Sequence, residues 1–142
     1  MKTARRQARE IALQALYAWQ LSGGDPLEQA RSLEGYGKVD GAFVETLVAG
    51  VRDGAADLQK KIIPFLDRDF KRLSPVERAI LYIGAYELGE QPGTPFKVVL
   101  NEAIELGKSF GGAEGHRFIN GVLEKVAAAL RPEEVARARK IA

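Results

Sequence analysis

Apolar residues recur at three- and four-residue spacing along nearly the whole 142-residue chain, and strand-like alternation is almost absent. A chain patterned this way buries its apolar faces helix against helix, so the sequence reads as an all-α protein. Glycine and proline cut the pattern into seven helices in two packed helical bundles. The first runs from Thr3, its N-cap, to about Leu21 and stops at Gly23-Gly24. A short helix follows from Asp25-Pro26 towards Leu33. A long one runs from Asp40 to about Leu66, with Pro64 set to kink it or tighten its last turn. The clearest start is Ser74-Pro75-Val76-Glu77, a capping serine, a proline at the first helical position and a glutamate three after the cap. That helix reaches about Leu88, before Gln91-Pro92-Gly93. Thr94-Pro95 repeats the cap-then-proline device and opens a helix to about Ser109, broken by Phe110-Gly111-Gly112. Another covers about 114–130, and Arg131-Pro132-Glu133 opens a short last one. The signals at 74 and 94 suggest a single domain over 1–142 with two halves, about 1–70 and 71–142.

The formal net charge of +2 conceals an asymmetry. Lys2, Arg5, Arg6 and Arg9 give the first nine residues +4, and the last twelve carry +2, which leaves −4 for the body. A basic start on an acidic body suits a protein that meets a polyanion at one place. A solvated terminus is the plainer reading of the same charges. The absence of cysteine excludes a disulfide framework and thiolate metal sites, and it fits a reducing interior. Glu10, Gln14 and Gln20 interrupt the apolar run after the basic start, so a secretory signal is not expected. No stretch approaches the roughly 20 apolar residues of a membrane span. The expectation is a soluble cytoplasmic protein with no membrane contact, no metal site, no cofactor and no catalytic set.

At about 100° per residue, Ala8, Ile11, Ala12, Ala15, Leu16 and Trp19 form one apolar face of the first helix, with Trp19 as a packing residue. Lys2, Arg5, Arg6, Arg9 and Leu13 share another arc. Glu10 is the one acid in the first two turns, and the helix macrodipole disfavours cations there by roughly 0.3–1 kcal/mol each. A local cost without a local partner points outward to phosphate, whose oxygens match arginine forks. Tyr17 and Leu21 continue from Leu13 as a second narrow stripe. They either pack under the second helix or form a strip for a protein partner.

In the helix after Ser74, Val76, Ala79, Ile80 and Ile83 face inward and Glu87 falls on their stripe. A carboxylate there needs a cation or hydrogen bonds, and no nucleophile or metal set accompanies it. Phe110 stands where a helix ends at two glycines. It either closes the core or projects beside free backbone N–H groups and stacks an unpaired base. Phe118 begins the stripe Phe118, Ile119, Val122, Leu123, Val126, Leu130 and so has a partly core role. Arg117 points away from that stripe, towards phosphate, and His116 reads as a hydrogen-bonded structural histidine. Gly107 occupies a helix interior where alanine is favoured by about 1 kcal/mol.

Several segments run in one order across nearly the whole chain: Arg5-Arg6-Gln7-Ala8-Arg9-Glu10 with Ala15-Leu16-Tyr17, Ala85-Tyr86-Glu87-Leu88, Asn101-Glu102-Ala103-Ile104-Glu105-Leu106, and Phe118-Ile119-Asn120-Gly121-Val122-Leu123. On these the chain resembles the NusB family of bacterial transcription antitermination factors. The resemblance implies an all-helical protein without enzymatic activity. It implies binding to the boxA element of ribosomal RNA transcripts together with NusE, a small-subunit ribosomal protein, and entry into the RNA polymerase antitermination complex. It maps RNA contacts onto Lys2, Arg5, Arg6, Arg9, Phe110 and Phe118, to which the helical reading adds Arg117. It maps NusE contacts onto Tyr17, Leu21 and the outer face of the 74–89 helix, with Glu77 and Leu81 as candidates. Family members occur as monomers and dimers, so a homodimer that covers the basic helix is a further expectation. The chain departs from the family pattern at Gly115, where a small hydroxyl residue is common. Acidic Glu114 beside the RNA surface is assigned no contact. Two other readings remain at this stage. One is an accessory domain related to RNA cytosine methyltransferases, although the chain shows no glycine-rich methyl-donor motif and no cysteine nucleophile. The other is a protein–protein adaptor whose basic helix is incidental.

Overall fold

A computed structural model describes residues 2–112 and 115–141, so the expectation placed on Glu114 lies outside the described residues. Among those described there are seven α-helices and no strand: α1 Ala4–Ser22, α2 Pro26–Arg31, α3 Gly41–Ile62, α4 Pro75–Glu90, α5 Phe96–Phe110, α6 Gly115–Leu130 and α7 Pro132–Ile141.

Local chemistry sets most of the boundaries. Thr3 Oγ1 accepts the Arg6 N–H, and Gly23, at φ 73°, donates its N–H to the Trp19 carbonyl to close α1. Asp25 and Asp40 cap α2 and α3. Pro64 does not kink α3; the chain tightens into a 3-10 turn at Ile63–Phe65. Ser74 and Glu77 exchange both capping-box bonds at 3.1 Å. The repeat of that device at Thr94-Pro95 does not form. Pro95 takes the cap position without a side-chain bond, and the Phe96 N–H instead donates to Glu134 Oε2 of α7 at 2.8 Å. That N–H and, secondarily, the Arg131 guanidinium hold the Glu134 carboxyl below its ordinary range.

Helix α4 lies at the centre and packs against α1, α3, α5 and α6. It is buried without interruption from Ala79 to Ala85, so it has no outer face in that stretch. Buried residues of both halves join in one apolar cluster, with Trp19 half-buried against it and Leu13 inside it rather than on the basic arc. The C-terminal end of α4 is closed by Arg131, whose guanidinium donates to the carbonyls of Glu87, Leu88, Gln91 and Thr94 and to Glu134. These satisfy orphan carbonyls that a helix end otherwise leaves open.

Across the core, Arg9 of α1 is 4% exposed. It donates to Glu87 of α4 through Nε at 2.9 Å and Nη2 at 2.7 Å, and to Glu102 of α5 through Nη1 at 3.2 Å. Its Cζ also lies 5.1 Å from the centroid of the Phe43 ring of α3. One guanidinium therefore ties α1 to three other helices. The expectation that Arg9 contacts RNA is overturned: its donors are turned inward onto two buried carboxylates. Glu87, 1% exposed, finds in Arg9 the cation its place on an apolar stripe requires.

Gly107 has a reason the sequence does not show. A Cβ there would stand 2.9 Å from the Cα of His116 and 3.0 Å from its Cβ, because α5 and α6 cross at this point. His116 meets Gly107 there through its Cα, Cβ and N, and the hydrogen bond expected of its ring is not among those of the described residues. G107A should therefore lose stability, by about 1–2 kcal/mol, despite alanine's better propensity. Gly54, in α3 with nothing near its missing Cβ, makes the contrast: G54A should gain up to about 1 kcal/mol in urea denaturation. R9M should lose about 3–5 kcal/mol, because Glu87 is left buried without its cation. R9M/E87L should lose less than R9M alone, since Glu102 keeps Arg6. A double variant no better than the single one would show that packing, not the unpaired charge, sets the cost.

Candidate nucleic-acid interface

The first turn of α1 and the residue ahead of its cap present Arg5, Arg6 and Lys2 at the surface, each held differently. Lys2 Nζ donates to Glu10 at 2.8 Å and stays half-exposed. Arg6 reaches Glu102 through Nε at 3.1 Å to both carboxylate oxygens and through Nη2 at 2.6 Å to one. That hydrogen bonding, with the charge of Glu102, raises the Arg6 guanidinium above its ordinary value, so it stays a cation. Arg5 is exposed and sets its Cζ 3.8 Å from the centroid of the Phe43 ring. Among the described residues no carboxylate pairs with Arg5.

These geometries correct the idea that the basic cluster lacks partners. Three of its four members have carboxylates, and two of those carboxylates come from α4 and α5, 78 to 96 residues away. Glu102 is the residue the sequence reading missed. It falls three after Val99 and four before Leu106, on the buried stripe of α5, which is the signal that singled out Glu87.

Lys2 and Arg6 share one narrow hollow with their partners Glu10 and Glu102, with Arg9, and with Glu105, Leu106 and Ser109 from the last turns of α5. Phe110 follows directly and is 37% exposed, so it projects rather than closing the core. The Gly111 N–H beside it is not free, since it donates to the Gly107 carbonyl at 2.8 Å. On the far side of the α5–α6 crossing, Phe118 is half-buried against the core and Arg117 is exposed. The ring of Phe118 has a neighbour absent from the sequence reading: Arg68, whose Cζ lies 4.4 Å from its centroid.

The partner candidates divide. Tyr17 and Leu21 are 39% and 60% exposed and do not pack under α2. Glu77 is half-buried, with one carboxylate oxygen committed to the Ser74 N–H. Leu81 is fully buried and is withdrawn as a docking residue, because α4 is surrounded on every side at that level. Among the described residues there is no group of three or more His, Cys, Asp or Glu placed to hold a metal ion, and no helix is long and apolar enough to cross a membrane.

Known proteins are similar to this chain in sequence and in shape. The sequence model of the NusB family matches residues 6–128. The transcription antitermination protein NusB of Burkholderia mallei is 50% identical over 136 residues, 94% of each chain. The structure of T. maritima NusB superposes with a TM-score of 0.83 at 27% identity, over 96% of this chain and 99% of that one. A crystal structure of the antitermination factors NusB and NusE in complex with double-stranded RNA contains a chain that superposes with a TM-score of 0.80 at 26% identity, over 91% of this chain and 99% of that one. With the family model matched over residues 6–128 and 50% identity to a curated relative over 94% of its length, the chain belongs to the NusB family.

Proposed function

We infer that this protein is a non-enzymatic RNA-binding antitermination factor of the bacterial cytoplasm. It recognises boxA RNA of ribosomal RNA transcripts together with NusE and enters the RNA polymerase antitermination complex. The observation that carries the RNA reading is the hollow that joins Lys2 and Arg6 to the end of α5, beside exposed Phe110. Cations for phosphate and an aromatic for a base then lie along one surface, which is what an unpaired strand requires. The choice of RNA and partner rests on family membership.

Within that surface the roles separate. Arg5 stacked on Phe43 offers its fork to phosphate without leaving a carboxylate. Lys2 and Arg6 keep exposed donors while paired. Phe110, Arg117 and Phe118 extend the contact across the α5–α6 crossing. Arg9 acts from beneath, as the fixed point of the helix that carries the others. NusE docks on Tyr17, Leu21 and the outer oxygen of Glu77.

With NusE present, the protein should bind a boxA oligonucleotide more tightly than a scrambled one in fluorescence anisotropy. Equal binding sinks the reading. R5A should weaken the RNA complex and lower its salt slope by about 0.7, one single-strand phosphate contact, with NusE affinity kept. An unchanged slope removes Arg5 from the phosphate path. Y17E should cut NusE affinity first, by about tenfold or more, and leave RNA binding by the protein alone intact; an unaffected NusE complex would move the docking face elsewhere.

A further inference from the structure

The loop between the 3-10 turns at Ile63–Phe65 and Phe70–Arg72 packs Leu66 against the core and leaves one cation, Arg68, on its outer side. Arg68 donates to Asp67 through Nε at 2.8 Å and Nη2 at 3.3 Å, which fixes the edge of its guanidinium. The same group lies over the Phe118 ring at 4.4 Å, while its side chain remains 45% exposed. Phe118 is itself partly buried against the core. The result is a layered stack from the core outward: apolar interior, aromatic ring, guanidinium, solvent.

We propose that Arg68, laid over Phe118, is a base-stacking platform that adds a binding position for an unpaired nucleobase. The inference rests on the RNA-binding reading above and names a residue outside its set. A guanidinium is planar, delocalised and weakly hydrated, so its outer face accepts a base much as an aromatic ring does. Arg68 is paired with Asp67 as Arg6 is with Glu102, so charge does not separate stacking from a phosphate contact, and the salt dependence of binding does. The ring beneath fixes the plane in advance, so a base stacking there orders little that is not already ordered. Phe118 is too deeply seated to offer both faces, and Arg68 carries its stacking capacity to the surface.

The test is binding of the boxA oligonucleotide, with NusE present, by R68A and R68K between 50 and 200 mM salt. R68A should weaken binding about tenfold at every salt concentration, with the salt slope unchanged. R68K keeps the charge but has no plane, and it should not restore affinity. Unchanged or tighter binding by R68A overturns the platform, the latter by showing that Arg68 merely shields Phe118. Full affinity in R68K, or a slope lowered by about 0.7 in R68A, overturns it in favour of a phosphate contact. Thermal midpoints check the fold, and if R68A does not fold then R68K alone decides, since it keeps stem and charge. A wild-type protein with no preference for boxA sinks the RNA reading and this inference together. Full boxA affinity in R68A, in a protein that does prefer boxA, sinks this inference alone.

Discussion

The buried guanidinium of Arg9 is the constraint on which the arrangement of the helices depends. It comes from α1, is gripped by carboxylates of α4 and α5, and lies against an aromatic ring of α3. A charge at 4% exposure is tolerated only when its donors are matched, and a fork-to-carboxylate pair has narrow geometric limits. Apolar packing alone would let α1 slide or turn on α4 at small cost. The ion pairs do not allow that, because any shift strands a charge in the core. Such a cluster stabilises little relative to a well-packed apolar core. What it contributes is a defined register for the helix that begins the basic surface.

This register links the interior to the surface chemistry. Glu102 receives Arg9 on its inner side and Arg6 on its outer side, so one carboxylate is shared between a structural cation and an exposed one. Phe43 plays the matching part for Arg9 and Arg5. The exposed arginines are thereby held in place by groups that also fix the core, and binding an anion need not first order long side chains. The α5–α6 crossing at Gly107 and His116 does the equivalent for Phe110 and Phe118, by bringing two backbones within the reach that only glycine permits.

The helices were largely legible because their ends are made by neighbours in sequence. Thr3, Asp25, Asp40 and Ser74 cap through bonds spanning two or three residues, and a reader of the chain can see both partners. Thr94-Pro95 shows the limit of that method: the same local signal failed because α7 supplies Glu134 to the Phe96 N–H from 38 residues away. Glu87 was legible as a buried acid in need of a cation, since its place on the stripe follows from helical spacing. The identity of the cation was not. Arg9 looked like one of four equivalent surface charges, and Leu81 looked exposed, because a helical wheel has no means of showing that α4 has neighbours on every side.

By itself the sequence determined the all-α class, the seven helices with most of their caps, the basic start and the family. All of these depend on residue type and short spacing, which the chain carries with it. The tertiary structure alone decided which cations face outward. Arg5 and Arg9 stand four apart on one helix, and the difference between a surface fork and a core clamp is set by carboxylates that only the packing of α4 and α5 brings within 3.2 Å. It likewise turned Gly107 from an apparent defect into a requirement, and it laid Arg68 over Phe118. Long-range electrostatic partners and steric approach are properties of folded distance, and no local pattern encodes them.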